Sequence, residues 1–154
     1  YLEQLVEYDI WATARLLDVV GVQRRELLDA TTPGVFGTVQ ETLHHMLQAE
    51  RSYAARLMGE ASPEPLEPLD LVGMRSVAGG LAAELRRLVS NLPEPGVEYQ
   101  RRLGPVTAAT VLTQLFWHGC EHRAQVSTIL GANGISLECA SVRRRPSRRQ
   151  PIPT

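Results

Sequence analysis

The sequence predicts an all-α fold, a four-helix bundle with long crossover connections. Three observations predict it. Apolar residues recur at helical rather than alternating spacing, breaker clusters cut the chain into four long segments, and neither βαβ alternation nor an internal repeat is present. At 154 residues the chain is sized for one domain with a real core. A composition of 44% hydrophobic and 21% charged residues excludes wholesale disorder.

Residues Tyr1 to about Asp29 carry Leu2, Leu5, Val6, Ile10, Ala14, Leu17 and Val20 at helical recurrence, with Gly21 placed to bend or end the helix. Thr31-Thr32-Pro33-Gly34 breaks the chain. Thr38-Val39-Gln40-Glu41 then matches a capping box, so a second helix starts there and runs through Leu57 or Met58 to Gly59. The stretch SPEPLEP, 62–68, cannot continue it, because each proline removes a donor and fixes its φ. Asp70 is the N-cap of a third helix reaching Asn91, with Leu81, Leu85 and Leu88 on one stripe and Gly73, Gly79 and Gly80 weakening its first half. Pro93, Pro95 and Gly96 close it, and 97–104 reads as a short extended excursion. The fourth helix runs from about Thr107 to Leu130, with Gly131 at the usual C-terminal glycine position.

Charge divides the chain. Every basic residue is Arg; residues 1–142 hold eleven against seventeen acids, a net of −6, and the last twelve residues add five Arg and no acid. Residues 1–141 therefore read as the bundle and 142–154 as an Arg/Pro-rich extension, expected to be mobile and solvated, with RNA or an acidic partner as its alternative role. The overall net charge of −1 gives no global argument for nucleic acid or an anionic membrane. Two cysteines, Cys120 and Cys139, make no disulfide framework and point to a reducing compartment. No run approaches the roughly 18 apolar residues of a membrane span, and YLEQLVEYD is unlike a signal peptide. A cytoplasmic protein is expected. Without lysine, Schiff-base chemistry is excluded, and no dinucleotide, phosphate-loop, C-x-x-C or nucleophile-elbow motif occurs.

Histidine placement carries the chemistry. His44 and His45 lie in the second helix, His118 and His122 in the fourth. Four residues apart, His118 and His122 present two imidazoles to one point, in a sector shared with Val111, Leu115, Gln125 and Ile129. Two imidazoles facing a core need partners for four ring nitrogens, and a shared metal ion supplies one. A third His on the second helix would complete a set compatible with Zn, Ni, Fe or Cu. The helical wheel leaves His44 and His45 open. His118-Gly119-Cys120-Glu121-His122 also spells H-x-x-E-H, a short protease pattern that lacks its large domain and has only Glu138 downstream as a further acid. Cys120, about 200° round the helix from His118, reads as a small packing residue. Tyr8, Trp11 and Trp117 read as core, or as the lining of a cavity.

The stretches TVQETLHHMLQAERSYAARLMG (38–59) and LTQLFWHGCEHRAQVSTILG (112–131), with Tyr8, Trp11 and Leu16-Leu17 in the first helix, resemble the DinB-like (DinB/YfiT) family of metal-binding four-helix bundles. The likeness spans most of 1–135, and its most specific element is His118, His122, Arg123 and Gln125 read as H-x-x-x-H-R-x-Q. The resemblance implies ligands at His45, His118 and His122, with Glu50 in the usual acidic place. It implies a divalent metal (Zn, Ni or Fe), a homodimer and a small-molecule substrate. Some members are similar to thiol S-transferases using a low-molecular-weight thiol. The implied function is metal-dependent transfer or hydrolysis, with Glu121 or Gln125 orienting water or substrate; the alternative is a non-catalytic metal- or small-molecule-binding stress-response protein. The ending GISLECASVRRRPSRRQPIPT departs from the family's acidic-aromatic one.

Overall fold

A computed structural model describes residues 1–100 and 104–135. Four helices form: α1 (Leu2–Gly21), α2 (Val39–Leu57), α3 (Leu71–Val89) and α4 (Ala108–Ala132). A 3-10 turn, Arg25–Asp29, lies between α1 and α2, and two-residue strands β1 (Glu98–Tyr99) and β2 (Val106–Thr107) pair antiparallel before α4.

The starts of three helices follow from side chains that satisfy otherwise unpaired N–H groups. Thr38 accepts from the Glu41 N–H while the Glu41 carboxylate accepts from the Thr38 N–H, the reciprocal capping box. Asp70 caps α3 through the Gly73 N–H, and Thr107 caps α4 through the Thr110 N–H. Gly21 ends α1, as the sequence allowed.

The end of α4 differs from expectation. The helix passes through Gly131 to Ala132, and Gly134, at φ 75°, is the left-handed residue. Its N–H donates to the Gly131 carbonyl at 3.0 Å and the Ile135 N–H to the Leu130 carbonyl at 2.9 Å, the paired bonds of a Schellman ending. A single glycine three residues early is tolerated because those bonds form only where the backbone turns left-handed.

Helix α1 packs chiefly on α3, and α2 on α4 and α3, with a lesser α1–α4 contact. The α1–α2 and α3–α4 connections thus cross the diagonals of the bundle rather than joining neighbours. Leu17, Leu43, Met46, Leu47, Met74, Leu85, Leu115, Ile129 and Leu130 are fully buried between the helices. Burial of such side chains, at roughly 25 cal/mol per Å² of apolar surface, is the main driving force for the fold.

The buried face of α1 is rotated from the apolar stripe read in the sequence. Leu5 and Ala14 are exposed, whereas Asp9 and Thr13 are buried beside Val6, Leu16, Leu17 and Val20. Tyr8, Trp11 and Trp117 are not core: they are 50%, 44% and 70% exposed. The rotation that brings Asp9 inward turns Tyr8 and Trp11 outward, where their rings touch at 5.7 Å. No helix among the described residues is long and apolar enough to cross a membrane. The proposed boundary at residue 141, Glu138, Cys139 and the Arg-rich extension lie outside the described residues.

Candidate metal centre

The i, i+4 spacing on α4 sets His118 and His122 on one face, and their Nε2 atoms lie 3.1 Å apart. From the facing helix, His45 places its Nε2 3.2 Å from that of His118. All three nitrogens fall within 4.8 Å of one another. His44, left open against His45 by the wheel, turns away: its Nε2 lies 3.1 Å from the Leu66 and Glu67 carbonyls of the proline-rich connection.

Protons decide what the cluster suits. Gln125 Oε1 accepts from the Phe36 backbone N–H at 3.2 Å and stands 3.0 Å from His122 Nδ1. A carbonyl oxygen cannot donate, so Nδ1 carries the imidazole proton and Nε2 is left with a lone pair. That lone pair faces His118 Nε2, which also faces His45 Nε2; a ring nitrogen carries either a proton or an in-plane lone pair, so His118 Nε2 cannot serve both contacts. A shared cation satisfies them together. The two measured spacings approach the roughly 3.3 Å edge expected between nitrogens about 2.0–2.1 Å from a tetrahedral ion.

Burial favours the neutral form of His118 and His45, the form in which imidazole ligates a metal. It lowers the His118 pKa to about 4, with the neighbouring His122 and then His45 adding to the shift. His45 is lowered for the same reasons, burial first and then His122 and His44. Phe36 stacks on His45 at 4.3 Å and 17°, and meets His122 edge-on at 5.4 Å. Tyr53 meets His118 edge-on at 5.8 Å. Phe36 was not singled out in the sequence; it lies in a loop, where helical periodicity says nothing.

Gln125 thus sits between the His122 ring and the loop backbone at Phe36. Gln125→Leu is expected to lower metal affinity roughly 10–100-fold, as loss of such partners does, read by competition with a chromogenic chelator. An affinity equal to the parent's would show that the tautomer is set without it.

A second polar group lies beside the three rings. Arg123, the residue after His122, donates to Asp9 through Nη2 and to Thr13 through Nη1 at 3.0 Å, and Nη1 is 3.7 Å from the Glu50 carboxylate. Asp9 and Glu50 are 2% and 1% exposed. A Cβ on Gly119 would overlap the Glu50 carboxylate, so glycine at this turn of α4 is what admits Glu50. Burial lifts the Asp9 pKa despite Arg123. It pushes Glu50 up to about 8, with Asp9 adding and Arg123 opposing. The folded state thus holds a proton on Glu50 that the unfolded chain releases near its ordinary 4.5. Stability from this group is full below that value and declines as pH rises towards 8. Glu50→Gln is expected to abolish that decline in urea melts from pH 5 to 8; an unchanged slope would contradict it.

Other residues from the sequence reading are not brought together here. Glu121 and Cys120 are exposed on α4, so Cys120 is not a packing residue. Position 120 falls on the outer flank because His118 and His122 take the inner one.

An α-helical bundle whose facing helices converge three imidazoles on one point is the class of protein these observations define. The DinB family model matches residues 1–145. The chain belongs to the DinB family. No curated protein matches it.

Proposed function

We propose that the chain binds one divalent metal ion through Nε2 of His45, His118 and His122, and that it supports thiol-dependent transfer or hydrolysis of a small molecule. The observation carrying this reading is the convergence of three Nε2 atoms on one point, with His118 Nε2 facing two others at once. When bound, such an ion supplies Lewis acidity, lowering the pKa of a coordinated water or thiol.

The chain's own residues do the remaining work. Gln125 fixes the His122 tautomer, and burial holds His45 and His118 neutral. Phe36 covers one flank. An open cleft of about 580 Å³, lined by Phe36, Gln40, His44, His45, Gln48 and Leu69, leaves room for a small substrate beside His45. A homodimer belongs to this reading as well.

Elemental analysis of protein purified without an affinity tag, followed by turnover assays pairing low-molecular-weight thiols with electrophilic or ester substrates, tests both halves. One equivalent of metal per chain with thiol-dependent turnover is expected. Metal without turnover of any thiol or ester would reduce the function to metal or small-molecule binding. No metal uptake after reconstitution would end the reading.

A further inference from the structure

Between α1 and α3 lies a cavity of about 190 Å³. Its walls are aliphatic, chiefly Ile10, Ala14, Leu17, Leu81, Ala82 and Leu85. It exists because α3 carries small residues here: Ala78, Gly79 and Ala82 line it, and a Cβ on Gly79 would meet nothing within 4 Å. The exposed ion pair between Arg75 and Asp18, at 3.2 Å, lines its outer part.

The inner part is different. Glu50, from α2, lines the cavity and is 1% exposed. Its Oε1 is buried and has no hydrogen-bond partner. The nearby cation, Arg123, is already engaged by Asp9 and Thr13, and its Nη1 stands 3.7 Å from Glu50. Two buried carboxyl groups therefore share one guanidinium. A buried charge requires a partner, and a buried acceptor without one is costly.

We propose that this cavity binds a small, mainly apolar primary amine, with its ammonium group against the Glu50 carboxyl and its hydrocarbon part in the aliphatic space. None of the three histidines lines the cavity. Its size suits one ring or a short alkyl chain, since dry aliphatic cavities of about 150 Å³ accept benzene. Glu50 gives up its proton to stand as a carboxylate against the ammonium group, whereas an alcohol of the same shape supplies a hydrogen bond but no charge.

The test is calorimetric titration of the full-length chain, as purified, with benzylamine and with benzyl alcohol. Benzylamine is expected to bind at least about tenfold more tightly, the difference an ion pair makes over a neutral contact. Glu50→Gln should remove that preference. Ala82→Phe, which places a ring in the cavity, should weaken benzylamine by at least about tenfold while leaving metal stoichiometry unchanged. Absence of benzylamine binding, equal binding of the two compounds, or benzylamine binding that survives Ala82→Phe would each overturn the proposal. The last of these would place the amine elsewhere, the three-His cluster included. Should Glu50→Gln not fold, the parent's preference and the Ala82→Phe result still decide the matter.

Discussion

His118→Ala is expected to reduce metal content to about a tenth of the parent's or less, because two imidazoles do not make a closed ligand set. His118 is the hub of the cluster: both close Nε2 contacts, 3.1 Å to His122 and 3.2 Å to His45, are made to its ring. The same substitution should remove the thermal stabilisation that added metal gives the parent. At a metal concentration of about 100 times Kd that stabilisation is worth roughly 2.7 kcal/mol.

The metal-free proteins should behave differently from the loaded ones. In the parent, folding keeps the His118 pKa at about 4 against an ordinary 6.5, so the unfolded chain takes up a proton that the folded chain refuses. Stability from this group is therefore complete above 6.5 and is lost as pH falls towards 4. His118→Ala should lack that acid loss while also lacking the metal response. His44→Ala, whose ring instead meets the Leu66 and Glu67 carbonyls, should retain full metal content. Parent-level metal in His118→Ala, by inductively coupled plasma mass spectrometry, would refute the ligand assignment.

Arg123→Met is expected to cost about 3–5 kcal/mol in urea unfolding, the range for stranding one member of a buried ion pair. The side chains of Arg123 and Asp9 are 12% and 3% exposed, and Glu50 is 1% exposed. Without the guanidinium, the Asp9 carboxylate is left buried with no counter-charge beside the protonated Glu50, and it must protonate or strain the packing. Asp9→Asn placed on the Arg123→Met background should recover part of the loss, because the stranded charge is then gone. The pair therefore departs from additivity, as contacting residues do. The Arg86–Glu7 pair offers the contrast. Its two bonds, at 2.6 and 2.9 Å, are well aligned, but both side chains are 54% exposed and solvent weakens their attraction. A loss for Arg123→Met no larger than that for Arg86→Met would show that the buried group is not the stabilising one.

The difference between these two clusters explains what was legible in the sequence. The four helices, the Thr38 capping box and the His118–His122 pair rest on local spacing, which a sequence displays directly. His45 was separable from His44 only by family resemblance. The structural reason is a tertiary one: backbone carbonyls of the 62–68 connection take up His44, and no local pattern encodes them. Asp9 and Thr13 were hidden by their polarity. In a stripe read by hydrophobicity they count as gaps, although their i, i+4 spacing within an apolar helix was the available signal. Without the Arg123 partner from α4 that signal had no meaning, and the inner face of α1 was accordingly assigned to Leu5 and Ala14. The tryptophans show the complementary limit: ring size is no sign of burial where the helix face it lies on turns outward, as at Trp11 and Trp117.

The diagonal connections have a consequence for how the chain matures. Helices α1 and α2 are consecutive but find their principal neighbours in α3 and α4. The α1–α2 pair therefore cannot form a hairpin early and shelter its apolar faces; the first consecutive helices in contact are α2 and α3. A nascent chain emerging from the ribosome must hold Leu17, Leu43 and Leu47 in contact with water until its second half is synthesised. Neither half is a foldable unit on its own, and a nick between α2 and α3 would leave two fragments that need each other.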